Sequence, residues 1–396
     1  MKFKSSLVIA FLIFCVTGVK AGDSLVGGIN FRQITLPQAI AAAKKEKKFV
    51  FMHGMADWCS HCKTMAETVY QDKEVADFYN SNYVCIKVDM EKEGKDIAKK
   101  LKITSYPGLI YFDSTGMVVH RAKGERKKPD FMELGRNAID PQKNLKYYEN
   151  TFNAGKATRE EAYIYIRLLE MGGVDSQAKL NNYLMKLSVE QLQTPEYWRF
   201  ISDFLKDHTL KIMDVLVSNK KGFEEKFTSD SVNNKITGIY ISEMMKKVQR
   251  LDTIGYYQLK MGLMNSKLDI REKICAYADL TTFKIKAEWP KYIAAAPAFI
   301  EKYCNNDAKK LNEAAQQFAE RATEQSDLLM AEQWAKRSIE LYDVYKFNMT
   351  LTSLQVKLQK KQESLVSAKH TLELGQKANQ DVKPLLLLIE KIEGMQ

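Results

Sequence analysis

The pattern of predicted secondary structure changes once along the chain, near Asp140, and this change limits the possible folds more than any other feature. Residues 30–140 alternate short apolar segments typical of strands with segments typical of helices. Beyond Asp140 the strand signals stop, and amphipathic helices follow one another. The sequence therefore predicts an α/β domain, with a central mixed sheet flanked by helices, followed by an all-α helical bundle or solenoid-like domain.

In the first region the periodicity predicts strands at 49–52, 83–88, 109–112 and 117–120, and helices at 37–45, 59–70, 92–101 and 130–139. In the second region Leu328, Ala331, Ala335, Ile339 and Tyr342 follow 3,4,4,3 spacing, which predicts one buried stripe on a helix. Such helix pairs loosely resemble tetratricopeptide repeats, although no 34-residue register is evident. The second region is therefore predicted to be helical and possibly repeat-like in organisation.

The N-terminus has the pattern of a secretory signal peptide. Lys2 and Lys4 precede an apolar stretch at 7–16, and small residues end at Ala21. The alternative, a membrane anchor, needs about twice that apolar length. We therefore predict a signal peptide at 1–21, a first domain at 22–140 and a helical domain at 141–396, with export to the periplasm or the extracellular space after cleavage near Ala21.

The charge and cysteine content argue against two other classes of protein. The formal net charge is +11, but the basic residues are spread along the chain and carry no interleaved aromatic residues in their densest runs. We therefore predict no nucleic-acid binding. Six cysteines in 396 residues are too few for a disulfide-stapled scaffold. Cysteine chemistry is accordingly predicted to be local.

Two of these cysteines, Cys59 and Cys62, are separated by two residues at the predicted start of a helix. The positive end of a helix dipole stabilises a thiolate, and His61, when protonated, adds a second positive charge. The spacing brings both sulfurs within one helical turn, close enough for a disulfide. A structural zinc site is the alternative interpretation, but it needs four ligands, and the sequence offers no second Cys-x-x-Cys pair and no His-x-x-x-His spacing. We predict neither a metal nor a cofactor.

The segment Trp58-Cys59-Ser60-His61-Cys62-Lys63 and the later Tyr106-Pro107-Gly108 resemble the thioredoxin superfamily over residues 30–140. The resemblance implies a thioredoxin-like domain in which Cys59 and Cys62 form a redox-active disulfide, with Trp58 and His61 as supporting residues. It also implies that Pro107 is cis and lines the substrate groove with Tyr106. The match looks most like exported thioredoxin-like proteins and the C-terminal domain of membrane disulfide reductases.

The resemblance implies a thiol–disulfide oxidoreductase that exchanges disulfides with protein partners and is recharged by a membrane or soluble redox partner. Reductase or isomerase activity is favoured over oxidase activity. The buried acid that thioredoxin has six positions before the first cysteine is replaced by His53, so the family's proton relay is not carried over. Cys85 is interpreted as a core residue, and pairing of Cys275 with Cys304 is left open.

A second hypothesis assigns the main function to the helical domain. Stacked helix pairs present surfaces that bind peptides or proteins, and the thioredoxin-like domain would then be accessory. A combined function, in which the helices select protein clients for the redox site, is compatible with both hypotheses.

Overall fold

The computed structural model describes residues 27–395, so the predicted signal peptide lies outside the described residues. The chain divides into two compact units between Ser176 and Gln177. The first unit contains the sheet, and the second consists of helices.

The first unit is built on a sheet of four strands, β1 (Phe49–Met55), β2 (Tyr83–Asp89), β3 (Gly108–Phe112) and β4 (Val118–Lys123). The strand order is β2-β1-β3-β4, with β1 and β2 parallel and the other neighbours antiparallel. The five central residues of β1 are buried, as expected for a strand covered on both faces. The predicted α/β fold with a mixed sheet is confirmed.

Seven helices belong to the described part of this unit: α1 (Leu36–Glu46), α2 (Ser60–Glu67), α3 (Lys73–Asn82), α4 (Lys95–Leu101), α5 (Lys128–Ile139), α6 (Leu145–Asn153) and α7 (Arg159–Met171). Because side chains alternate along a strand, β1 contributes to two cores. Val50 and Met52 pack with residues of α1 and α4. Phe51 packs on the opposite face, with residues of α3 and α5.

The helix predicted at 59–70 is shorter in the structure, where α2 ends at Glu67 and a short 3-10 helix, Val69–Gln71, follows. The next helix, α3, is absent from the sequence prediction. Asp72 caps α3, because its carboxylate accepts hydrogen bonds from the backbone N–H groups of Glu74 at 3.0 Å and Val75 at 3.2 Å. Asp72 thus follows the end of the 3-10 helix and begins α3.

The first unit continues beyond Asp140, where the strand pattern ends. The backbone N–H of Leu145 donates to His120 Nδ1 at 3.0 Å, which connects α6 to β4. Arg121 Nε donates to the carbonyl oxygen of Gly172 at 2.9 Å, which connects the end of α7 to the same strand. Helices α6 and α7 thus pack on the sheet domain, although their sequence resembles that of the helical region.

The second unit is helical throughout the described residues. Its helices are α8 (Gln177–Leu184), α9 (Val189–Leu192), α10 (Pro195–Phe204), α11 (Lys211–Ser218), α12 (Lys220–Phe227), α13 (Ser229–Gln249), α14 (Thr253–Met264), α15 (Arg271–Ile285), α16 (Trp289–Tyr303), α17 (Ala308–Arg321), α18 (Gln325–Leu341), α19 (Tyr345–Lys357), α20 (Lys361–Lys377) and α21 (Lys383–Glu393). The predicted all-α region is confirmed. None of the helices in residues 27–395 is both long and apolar enough to cross a membrane.

The predicted stripe on α18 is buried at Leu328, Ala331 and Ala335 and partly buried at Ile339, whereas Tyr342 follows the end of the helix and is 60% exposed. The small alanines allow neighbouring helices to approach closely, and they lie in one core with residues of α16, α17 and α19. Cys275 and Cys304 are both buried and free, so the structure does not pair them.

Candidate active site

The two cysteines of the Cys-x-x-Cys motif lie at the start of α2, directly after the loop that leaves β1. Cys59 is the N-cap residue of α2, and Cys62 lies in its first turn. Their sulfur atoms form a disulfide with an S–S distance of 2.09 Å and a Cα–Cα distance of 5.3 Å. The disulfide that the motif predicts is therefore present.

The end of the helix provides a polar contact to one sulfur. The backbone N–H of Cys62 donates a hydrogen bond to Cys59 Sγ at 3.1 Å. The same N–H group and the helix dipole would stabilise a thiolate on Cys59 once the disulfide is reduced. Only 3% of Cys59 and 4% of Cys62 are exposed. The two residues are thus equally buried, and the hydrogen bond from the end of the helix goes to Cys59.

Trp58, the residue before Cys59, forms an aromatic pair with Tyr106. The ring of Trp58 is 68% exposed and meets the ring of Tyr106 edge-on, with centroids 5.7 Å apart. Trp58 Nε1 donates to Glu91 Oε2 at 2.9 Å, which holds the indole in one orientation. Exposed and oriented, Trp58 can contact a bound polypeptide.

Pro107 precedes the first residue of β3, and its peptide bond with Tyr106 is cis, as the family resemblance implies. Gly108 pairs with Gly54 near the end of β1. This pairing brings the Tyr106–Pro107 segment to the edge of the sheet from which the loop to Cys59 departs. Trp58, Tyr106 and Pro107 thus lie at the same end of the sheet.

His61, the residue before Cys62, contacts an acidic residue that sequence reasoning missed. Its Nδ1 lies 2.6 Å from Glu125 Oε2, and the His61 side chain is 69% exposed. Glu125 follows Gly124, which takes a positive φ of 81° directly after β4. The contact joins residues 64 positions apart, so no local signal in the sequence predicts it.

His53 occupies the place of the family's buried acid and is itself buried, with 1% of its surface exposed. Its Nδ1 is hydrogen-bonded to the hydroxyl of Tyr70, and the two rings meet edge-on. Burial, with a smaller contribution from the charge of Lys87, lowers the pKa of His53 to about 3. His53 is therefore neutral at neutral pH.

Replacing His53 with Gln is expected to weaken the pH dependence of stability in the first unit. The unfolded chain binds a proton at His53 below its ordinary pKa of 6.5, whereas the folded chain does so only below about 3. The free energy of unfolding therefore falls as the pH falls from 6.5, by up to about 1.4 kcal/mol per pH unit from this group. Hydrogen exchange of the β1 amides at pH 6.5 and 5.0 measures this slope.

His120 provides the internal comparison for that experiment. Burial lowers its pKa to about 4, so it contributes a slope of the same sign in both proteins. A His53→Gln protein with the slope of the unmodified protein would show that His53 becomes charged in the folded state.

Cys85 lies in the aromatic core rather than in the site. It is 1% exposed, and burial raises the pKa of its thiol well above the ordinary value. It packs with Phe51, Tyr83 and Tyr111, which supports its interpretation as a core residue. Within residues 27–395, no three His, Cys, Asp or Glu side chains are grouped so that they could hold a metal ion.

A mixed sheet with a Cys-x-x-Cys disulfide at the start of the helix after its central strand defines a thiol–disulfide oxidoreductase domain. Residues 36–139 match the thioredoxin-like domain family, so the first unit contains a thioredoxin-like domain.

Three similar proteins carry disulfide-isomerase names. The chain is 28% identical over 94 residues to a protein disulfide-isomerase of Triticum aestivum, covering 24% of this chain and 18% of that protein. It is 26% identical over 117 residues to protein disulfide isomerase-like 2-2 of Oryza sativa subsp. japonica, covering 27% and 31%. The solution structure of a putative disulphide-isomerase from Bacteroides thetaiotaomicron is 34% identical, with a TM-score of 0.28, covering 29% of this chain and 96% of that one. The chain thus spans less than a third of the length of these curated plant relatives.

Proposed function

We propose that this protein is an exported thiol–disulfide oxidoreductase that exchanges disulfides with protein partners through Cys59 and Cys62. One observation carries the proposal. The disulfide lies at the start of α2, where Cys59 Sγ accepts the N–H of Cys62 at 3.1 Å. The relatives named as disulfide isomerases support the same chemistry in the first unit.

In the reducing direction, the Cys59 thiolate attacks a sulfur of a partner's disulfide. A new S–S bond joins Cys59 to the partner, and the partner's other sulfur leaves as a thiolate that takes up a proton. Cys62, as thiolate, then attacks Cys59 and releases the partner's second thiol. The partner gains two electrons and two protons, and the Cys59–Cys62 disulfide is the oxidised product.

The protein needs an external source of electrons for repeated reduction. The proposed source is a membrane or soluble redox partner that reduces the Cys59–Cys62 disulfide by the same exchange in reverse. In isomerisation, another thiol of the partner attacks the mixed disulfide and releases Cys59 as a thiolate. The protein therefore stays reduced and needs no external electrons. Neither reduction nor isomerisation requires a bound cofactor.

The residues proposed to contact the partner chain are Trp58, Tyr106 and Pro107. The exposed indole and the Tyr106 ring form an apolar surface next to the motif. Because every polypeptide presents apolar and amide groups, such a surface suits protein substrates of varied sequence.

The proposal is tested by reduction of insulin with dithiothreitol and by reactivation of scrambled ribonuclease, both with purified residues 22–396. Catalysis of the first favours a reductase, and catalysis of the second favours an isomerase. The reduction potential of the Cys59–Cys62 pair separates these from an oxidase, since thioredoxin lies at about −270 mV and DsbA at about −120 mV. A protein inactive in both assays would contradict the proposal.

Replacing His61 with Ala is expected to make the reduction potential more negative, by about 30 mV or less. A protonated His61 next to Cys62 stabilises the thiolate of the reduced form, and its loss favours the disulfide. Equilibration with glutathione buffers at pH 6.0 measures the change. The control is Glu125→Gln, which removes the carboxylate beside His61 and keeps the histidine. A potential unchanged in His61→Ala would show that His61 does not influence the thiols.

Export rests on the N-terminal pattern of Lys2, Lys4 and the apolar stretch at 7–16. We place the mature protein in the periplasm or outside the cell, with cleavage near Ala21. N-terminal sequencing of the protein purified from its source checks this assignment, and a sequence that begins at Met1 would contradict it.

The alternative function, peptide or protein binding by the helical region, is favoured by one exposed helix face. Helix α14 exposes Ile254, Tyr257 and Met261, at 74%, 58% and 57%. These residues follow 3,4 spacing and form an apolar stripe without a charged member. Binding of an unfolded polypeptide that persists after Cys59→Ser and Cys62→Ser, and is lost after Tyr257→Asp and Met261→Asp, would support this function.

A further inference from the structure

The first unit contains a cleft that is separate from the disulfide but contacts the disulfide motif through one residue. The cleft has a volume of about 590 Å³, within the range of sites that hold small molecules or short peptides. It is lined by β4, by the loop from β4 to α5, and by one face each of α5 and α7. Helix α7 lies outside residues 36–139, so the matched family domain alone does not form this cleft.

A buried histidine in the wall of the cleft has an unused hydrogen-bond donor. His120 is 1% exposed, and its Nδ1 accepts the backbone N–H of Leu145 at 3.0 Å. The ring proton of the neutral histidine must then be on Nε2. Nε2 has no hydrogen-bond partner among the described residues. This enclosed donor places an unsatisfied polar group behind the wall of the cleft.

The cleft is lined by charges of both signs that are not paired with each other. Arg126, Lys127 and Arg167 contribute the cations, and none of them forms an ion pair within residues 27–395. Asp130 and Glu133, on α5, contribute carboxylates that likewise form no ion pair in that part of the chain. A ligand with both an acidic and a basic group would complement such a surface.

One residue of the cleft contacts the redox motif. Glu125 lines the cleft, and its Oε2 lies 2.6 Å from Nδ1 of His61, which is adjacent to Cys62. The cleft thus borders the side chain of His61 on its way to the disulfide. This continuity connects binding in the cleft with chemistry at the sulfurs.

We infer that the cleft binds a short peptide segment of the disulfide substrate, next to its reacting cysteine, that carries an acidic and a basic side chain. The inference rests on the proposed function and specifies its substrate class. The acidic group of the peptide pairs with Arg167, and its basic group pairs with Asp130 or Glu133, next to the ring of His120.

The kinetic test uses the reduced protein and two disulfide-linked peptides. One peptide has Asp and Lys flanking its cysteine, and the other has Asn and Gln in their places. Each reaction oxidises Cys59 and Cys62 to the disulfide and releases two thiol peptides, so no electron donor is needed. We expect the unmodified protein to react about threefold to fivefold faster with the charged peptide, a factor within the range that two partly exposed ion pairs supply.

Arg167→Glu should abolish this preference, whereas Arg159→Glu should preserve it. Both arginines are exposed residues of α7, but only Arg167 lines the cleft. Equal rates for the two peptides with the unmodified protein, or a preference that survives Arg167→Glu, would overturn the inference. Failure of both peptides to react would instead contradict the proposed function.

A binding measurement decides the inference without redox chemistry. The charged peptide, with Ser in place of its cysteine, is titrated into the Cys59→Ser and Cys62→Ser protein labelled with ¹⁵N-histidine. The His120 ring signals should shift, whereas those of His370, in the other unit, should not. Unchanged His120 signals at millimolar peptide would overturn the inference even if the protein is an active oxidoreductase.

Discussion

The Cys59→Ser protein is expected to lose disulfide exchange by about 1,000-fold or more. Removing a nucleophile stops the covalent step itself, and the residual rate comes only from binding and from the other thiol. A serine hydroxyl is too weakly acidic to replace the thiolate, although it keeps the shape of the side chain. Insulin reduction with dithiothreitol, corrected for the uncatalysed rate, measures the loss.

The matched control for this loss is Cys275→Ser. Cys275 is a free and buried cysteine of the second unit, and burial raises the pKa of its thiol. We expect this protein to keep full activity. Activity that survives Cys59→Ser, or is lost in Cys275→Ser, would contradict the assignment of Cys59 as the nucleophile.

Cys62→Ser should behave differently from Cys59→Ser. Its Cys59 thiolate still attacks, but nothing resolves the mixed disulfide, so partner proteins remain covalently attached. Non-reducing electrophoresis after expression in the source organism detects them. These trapped partners would identify the proteins on which the redox site acts.

The largest loss of stability is expected for Phe51→Ala, at about 3–5 kcal/mol in the free energy of unfolding of the first unit. Phe51 is fully buried on β1. Its ring lies 5.1 Å from those of Tyr79 and Tyr111 and 5.4 Å from that of Phe131, measured between centroids. The substitution leaves a cavity among rigid aromatic rings that cannot collapse to fill it. Hydrogen exchange of the β1 amides measures the change in this unit.

Phe49→Ala is the control on the same strand. Phe49 is only partly buried and meets one ring, that of Tyr83, at 6.3 Å. We expect its loss to cost less than half as much. Equal effects of the two substitutions would show that the aromatic cluster around Phe51 does not dominate the stability of the unit.

The features that the sequence predicts correctly are those that depend on local pattern. It predicts all four strands of the sheet within a few residues, because alternating or continuous apolar runs are bounded by turns such as Ser114-Thr115-Gly116. Helix starts are equally local, since Thr158 and Ser188 each begin a helix with a capping box formed with the residue three positions later. The position of Cys59 and Cys62 at a helix start follows from the same local rules.

The features that the sequence does not predict depend on contacts between distant residues. His53 is neutral because Tyr70 and the surrounding core enclose it, and Tyr70 lies 17 positions away. The contact between His61 and Glu125 forms only when β4 ends beside α2. The place of α6 and α7 in the first unit depends on a hydrogen bond that His120 accepts and one that Arg121 donates, which the helical periodicity of residues 145–171 does not reveal.

The small exposed fraction of Cys59 limits the shape of the molecules that can react with it. A sulfur with 3% of its residue exposed admits an incoming sulfur only along a narrow line of approach, collinear with the bond that breaks. A cystine inside a rigid folded core cannot reach that position. Under the proposed function, we therefore expect cystines on protruding or unfolded stretches of backbone to react faster than cystines inside tightly folded proteins.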